Sequence, residues 1–263
     1  MDSTKKLLMT MTGEIHQPVR LYYQVVDQTA VLNVFAKLRC LDEDQDNQRW
    51  VWLYHGEAKT LTFHTSYAAI ARKMRPIVLG AFRFTSPQDM TLDVRSCERA
   101  TQAVVFFDRY LKQSIAHVTH AAIVNHLFPA TTDGLPALEG VFAPEQVTEI
   151  DGEKVLRRAV ESLQTIQDPQ QRLDRAFALI AQPAHAPLPE VEKFPVHFYT
   201  DGILSFENAL RLRQIVAFEH WRGNMKCTLG EVIQKVSAGL LKGCSKFFQL
   251  FVTLCGISSK AIV

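Results

Sequence analysis

Residues 75–112, RPIVLGAFRFTSPQDMTLDVRSCERATQAVVFFDRYLK, limit most tightly what this chain can fold into. An apolar run from Ile77 to Phe84 meets a turn cluster, Thr85-Ser86-Pro87-Gln88-Asp89. A second run then alternates, with Met90, Leu92 and Val94 on one side and Thr91, Asp93 and Arg95 on the other. Period-2 alternation on both sides of a turn predicts a β-hairpin with one buried face. Ser96 is placed to cap a helix that starts at Cys97, and Glu98 in the first turn suits the helix dipole. Ala100, Ala103, Val104, Phe107 and Leu111 recur at helical spacing. A hairpin that feeds an amphipathic helix must bury that helix against something, so an α+β architecture is expected.

The flanking sequence extends this expectation. Residues 19–27 and 30–40 are rich in aromatic and β-branched residues, with Gln28-Thr29 between them, and predict another hairpin. Residues 41–48 read as a polar tip and 50–55 as the return strand, with a further strand at 59–64 and a short helix at 67–74. Helix is expected again over 114–126, up to Pro129. The N-terminal module, residues 1–127, is therefore an antiparallel β-meander with packed helices. Residues 128–150 carry three prolines and two glycines and read as a linker. A mainly α-helical C-terminal module, 151–263, comes next, with helices near 153–166 and 169–181, a short strand at 196–199 and a helix from Ser205 to Trp221. The two modules either share one core or stand apart.

The last helix has the clearest start signal. Thr228 with Glu231 three residues later forms a capping box. Val232, Val236, Leu240, Phe247, Phe251 and Leu254 make one stripe, while Lys235, Lys242 and Lys246 fall mostly opposite. This helix docks on its own core, on a partner groove or on a membrane surface, in that order of expectation. No uninterrupted apolar run reaches the roughly 18 residues of a membrane span.

Charge bears on partners. The net charge is only +2. From Arg222 onward six Lys/Arg face one acid, so the basic excess sits in the C-terminal tail. Five cysteines, an odd number without Cys-x-x-Cys, fit buried thiols in a reducing compartment, and the cytoplasm is the expected location.

Several residue sets are chemically suggestive. Cys97 comes after a strand and opens a helix, where backbone N–H groups favour a thiolate. A phosphatase pattern would need Arg six positions on, where the chain has Ala103. His117 and His120, three apart on the expected helix, could share a face as a zinc or iron site requires, but no third ligand lies nearby. No resident metal or cofactor is expected. The acidic run 42–47 lacks the glycine and the twelfth-position acid of a calcium loop, and reads as a solvated tip. Arg83, Asp93, Arg95 and Arg99 are candidates for a polar binding surface on the outer face of the hairpin. Arg157, Arg158, Arg172 and Arg175, on two consecutive helices, could meet phosphates, although neighbouring acids dilute them.

No P-loop, dinucleotide fingerprint, Gly-x-Ser-x-Gly elbow or zinc cysteine array is present. The favoured expectation is a non-enzymatic interaction protein (an adaptor, regulatory or assembly subunit) that binds a protein partner or self-associates through its C-terminal helices. A nucleic-acid-binding protein using the Arg-bearing helices and basic tail is the alternative. A small enzyme with a Cys97 thiol or a histidine metal site comes third.

Overall fold

A computed structural model describes residues 6–130, 137–150, 157, 161, 166–168, 171, 175 and 186–240. Its framework is a mixed eight-stranded sheet. In chain order the strands are β1 (Val19–Val25), β2 (Leu41–Asp44), β3 (Arg49–Leu53), β4 (Val78–Ser86), β5 (Asp89–Val94), β6 (Ala116–Val124), β7 (Val147–Glu149) and β8 (Val191–Pro195). Across the sheet they run β2-β3-β4-β5-β1-β6-β8-β7. The pairs are antiparallel except β7 with β8, which is parallel. The class is α+β, as expected, but the sheet is mixed and also takes in a strand from the 128–150 stretch.

The 75–112 unit forms as its pattern predicts. β4 and β5 pair with Phe82 opposite Leu92 and Phe84 opposite Met90. Helix α2 (Cys97–Asp108) starts at Ser96, whose Oγ accepts a hydrogen bond from the Arg99 backbone N–H at 3.1 Å. Phe106 and Phe107 of α2 then meet Trp52, with ring centroids 5.8 and 5.1 Å away, and Phe107 meets Phe82 edge-on at 4.7 Å.

Two elements differ from the sequence-based expectation. Residues 30–40 do not return as a strand beside β1; helix α1 (Gln28–Phe35) takes up the first half of that stretch and the expected turn before it. The Asp27 side chain caps it, accepting from Ala30 N at 2.9 Å, and Val31 and Phe35, four apart, are buried. Both edges of β1 are taken, by β5 and β6, so no place remains there for a hairpin partner. The second difference is 114–126, where the expected helix is β6. Its alternation is hidden by a bulge at Thr119, which shifts the register against β1 between Tyr22 and Tyr23. Ala116 and Val118 before the bulge, and Ala121 and Ile123 after it, therefore share the core face. A stretch whose phase slips by one residue no longer reads as a period of two.

Smaller departures lie elsewhere. Residues 59–64 carry the end of a 3₁₀ turn (Gly56–Thr60) instead of a strand, and 67–74 hold two more such turns. The expected strand at 196–199 sits earlier, as β8. The 138–150 stretch contains a single-turn helix α3 (Leu138–Val141) and β7. After β8 come α4 (Phe198–Asp201), α5 (Ile203–Trp221) and α6 (Leu229–Leu240). α5 starts after Gly202, not at Ser205. The helices expected over 153–166 and 169–181, and the chain beyond Leu240, lie mostly or wholly outside the described residues.

The main core lies on the sheet face that carries Val19, Leu21 and Tyr23, and α1, α2, α5 and α6 cover it. It joins residues from both halves of the chain, from Val19 to Ile233. A smaller apolar cluster on the opposite face joins Ala122, Val124 and Val191 to Phe128 and Phe142. Among the described residues, only part of that second face is covered.

Candidate functional site

The partly open face is built by alternation. In β1, Val19, Leu21 and Tyr23 point to the core, so Arg20, Tyr22 and Gln24 point the other way. The register sets Arg20 opposite Asp93 of β5 and Ala122 of β6, and Tyr22 opposite Thr91 and His120. Arg83 of β4 pairs with Thr91 and so joins the same face. Three adjoining depressions run along it. The central one, about 910 Å³, has Arg20, Tyr22 and Lys193 on its floor and Phe142 and Val147 in its wall. One end opens to a depression of about 440 Å³ at His117, His197 and Tyr199, with His120 and Glu149 shared between the two. The other end meets one of about 220 Å³ at His16, Arg49 and Arg95, across the Arg83 and Glu139 side chains.

Ion pairs of both signs line this face. Arg20 is held by Asp93 in a two-pronged pair, Nε to Oδ1 at 2.6 Å and Nη2 to Oδ2 at 2.8 Å, and donates to the Phe142 carbonyl oxygen at 3.1 Å. Burial opposes the Arg20 charge, but the Asp93 hydrogen bonds and charge outweigh it, so its pKa lies above the usual value. Arg83 pairs with Glu139. Lys193 Nζ lies 3.2 Å from Glu149 Oε1, and His120 Nε2 lies 3.9 Å from the same oxygen. Lys193 also stands over the Tyr22 ring at 5.0 Å, and Arg20 over the Phe142 ring at 5.0 Å. Arg49 is tied to Asp44 at 2.8 Å. Arg95 is exposed and has no acidic partner among the described residues.

Of the polar surface expected from the sequence, Arg83, Asp93 and Arg95 do share this face. Arg99 does not reach it. It points into the other side of α2, fully buried, and donates to the carbonyl oxygens of Val78 and Leu79 and to Thr12 Oγ1. Its nearest carboxylate is buried Glu14, at 3.7 Å. Burial lowers its pKa to about 10, which leaves it charged at neutral pH.

Cys97 opens α2 as expected, but its thiol is buried and donates to Gln17 Oε1 at 3.5 Å. Burial, with the Glu98 charge added, pushes its pKa well above the usual value, the opposite of what a nucleophile needs. His117 and His120 lie on a strand, not a helix, and the bulge between them lets both line the same depression. The His117 ring stands edge-on to Tyr199, centroids 6.1 Å apart, with Nδ1 buried and without a hydrogen-bond partner. No cluster of three or more metal-ligating side chains occurs among the described residues. Arg157 and Arg175 are exposed, and Arg158 and Arg172 lie outside the described residues. Lys235 is exposed on α6, while Lys242 and Lys246 lie outside the described residues. The acidic 42–47 run is not all tip: Leu41–Asp44 form β2, paired with β3, and only 45–48 make the turn, where Asp44 accepts from Asn47 and Arg49.

Arg20, Tyr22, Glu139, Glu149 and Lys193 were not singled out from the sequence. Arg20 and Tyr22 carried a usable signal, the polar phase of Val19-Arg20-Leu21-Tyr22-Tyr23-Gln24. Glu139 and Glu149 had none, because their stretch reads as a linker. No known family model, curated protein or solved structure matches this chain.

Proposed function

We propose that this chain is a non-enzymatic binding protein that recognises a protein partner, and that the partner's segment lies along the three joined depressions on the open face of the sheet. The observation that carries this reading is the pairing of charge there: Arg20 with Asp93, Arg83 with Glu139, Lys193 with Glu149. A polyanion gains affinity from unpaired cations that release its counterions. Paired charges of both signs, set among aromatic rings, instead match the mixed chemistry of a protein segment. From β3 to β8 the depressions cross five strand spacings, about 24 Å at ~4.8 Å each, enough for about seven residues of extended chain. Cys97, buried and with a raised pKa, supports binding over thiol chemistry.

A self-association reading through the C-terminal helices has less support. Val232 and Ile233 of α6 are buried in the chain's own core, so the first turns of that helix are occupied internally. The test is selection of random peptides from a displayed library on the full chain, with affinities then measured by fluorescence anisotropy. Selected peptides should bind the wild type, and Tyr22→Ala with Lys193→Glu should weaken them at least about tenfold. A 20-nucleotide single strand should show no steep salt-dependent binding. Strong salt-dependent capture of that strand, or peptides indifferent to both substitutions, overturns the reading.

A further inference from the structure

Arg95 differs from the other charged groups on the open face. Among the described residues, four arginines, Arg20, Arg49, Arg83 and Arg95, and three carboxylates, Asp44, Asp93 and Glu139, stand in and around the 220 Å³ depression. Each carboxylate holds one of the first three arginines, which leaves one positive charge over, on Arg95. Arg95 is exposed, directly after β5, on the same face as Asp93. Its backbone is anchored, since its carbonyl oxygen accepts from Gln17 N at 3.0 Å. An exposed guanidinium fork beside an open depression suits a planar anion bound through two parallel hydrogen bonds. The volume equals that of roughly seven waters at ~30 Å³ each, room for one carboxyl group and its attached carbons. His16 also lines this depression and, near neutral pH, carries no charge that would compete for the anion or add to the field.

We propose that the Arg95 end of the groove is an anion subsite that takes a carboxylate of the bound protein segment, an acidic side chain or a C-terminal carboxyl. This rests on the groove being a protein-binding site. A single excess cation matches a single negative charge. A phosphate backbone carries several charges along its length, and with Asp93, Glu139 and Glu149 already holding the neighbouring cations all but one of those charges would go unmatched.

The test uses the full chain and two readouts. In the first, acetate, inorganic phosphate and a 20-nucleotide single strand are titrated while the arginine Nε–H signals and the backbone N–H signals around position 95 are monitored by NMR. The Arg95 Nε–H should shift with acetate more than with phosphate, and Arg95→Gln should abolish the accompanying backbone shifts at Asp93 and Ser96 while Arg95→Lys keeps part of them. A response to phosphate or to the strand as strong as to the carboxylate, or none to the carboxylate, overturns the subsite. In the second, anisotropy compares acidic peptides from the displayed library with their amide-substituted counterparts. Arg95→Gln should cost the acidic peptides about tenfold and leave the amide forms unchanged. Peptides that bind wild type and Arg95→Gln equally leave the groove standing and remove the subsite. Failure of any peptide to bind removes the groove reading, and the small-molecule titration still decides the subsite.

Discussion

Glu192 and Arg213 are both nearly fully buried and face each other across β8 and α5, at 2.6 and 2.8 Å. Burial alone would raise the Glu192 pKa; the Arg213 charge and hydrogen bonds outweigh it and hold it below the usual carboxylate value. Arg213→Met leaves a buried carboxylate unpaired and should cost about 3–5 kcal/mol in urea unfolding. Glu192→Leu combined with Arg213→Met should recover most of that loss. Because the folded pKa of Glu192 is depressed, this pair stabilises above the unfolded carboxylate value, and the contribution fades as pH falls through the folded one. His16 acts in a window further up the scale. Burial, together with the Arg95 and Arg99 charges, lowers its pKa from 6.5 to about 4. Between those values the unfolded chain binds a proton that the folded chain refuses, so folding weakens on acidification through that window, by up to about 3 kcal/mol. His16→Gln should flatten the stability-versus-pH curve between pH 6.5 and 4, measured by denaturant midpoints. An unchanged slope would count against a neutral His16.

At the scale of elements, the β4–β5 hairpin depends on a close approach at Gly80. A Cβ there would stand 2.6 Å from the Asp93 carbonyl oxygen, which belongs to a neighbouring strand and cannot swing away. Gly80→Ala should therefore push β4 from β5 and cost about 1–3 kcal/mol, read from thermal or urea unfolding. The same shift would disturb the floor beneath Arg83 and Arg95, so binding at the groove should weaken in step with stability. Helix α2 depends on Ser96 in a similar way. Its hydroxyl is buried and caps the Arg99 N–H, and Ser96→Ala should cost about 1–2 kcal/mol.

Across the whole molecule, the sheet and core tie distant segments together. β6 is an inner strand only because β8 lies beside it, and α5 packs on α2 from the far side of the chain. Glu192 and Arg213 are joined by Asn125, which donates to Glu192 Oε2 at 3.2 Å from just beyond β6. A fragment of residues 1–127 would leave the β6 edge and the α5-facing side of α2 bare. It should lack a cooperative unfolding transition, while the full chain shows one, by circular dichroism against temperature. A cooperatively folding 1–127 fragment would show that the shared core is dispensable. Among the described residues no helix is long and apolar enough to cross a membrane.

What the sequence by itself determined was local. The 75–112 hairpin and helix and the Ser96 and Thr228 caps could all be read because their signals lie within a few residues of one another. The Thr228 hydroxyl does accept from Glu231 N, at 3.3 Å. Alternation alone also placed Arg83, Asp93 and Arg95 on one face. Only the tertiary structure decided the rest. It set 28–35 as a helix because β1 had no free edge, and 116–124 as a strand because a bulge at Thr119 broke the repeat that would have shown it. It also sent Arg99 into the core while Arg95, four residues earlier, stayed in solvent, and brought Glu139, Glu149 and Lys193 to the open face of the sheet. Those outcomes depend on which strand occupies which edge, a long-range competition that no window of neighbouring residues records.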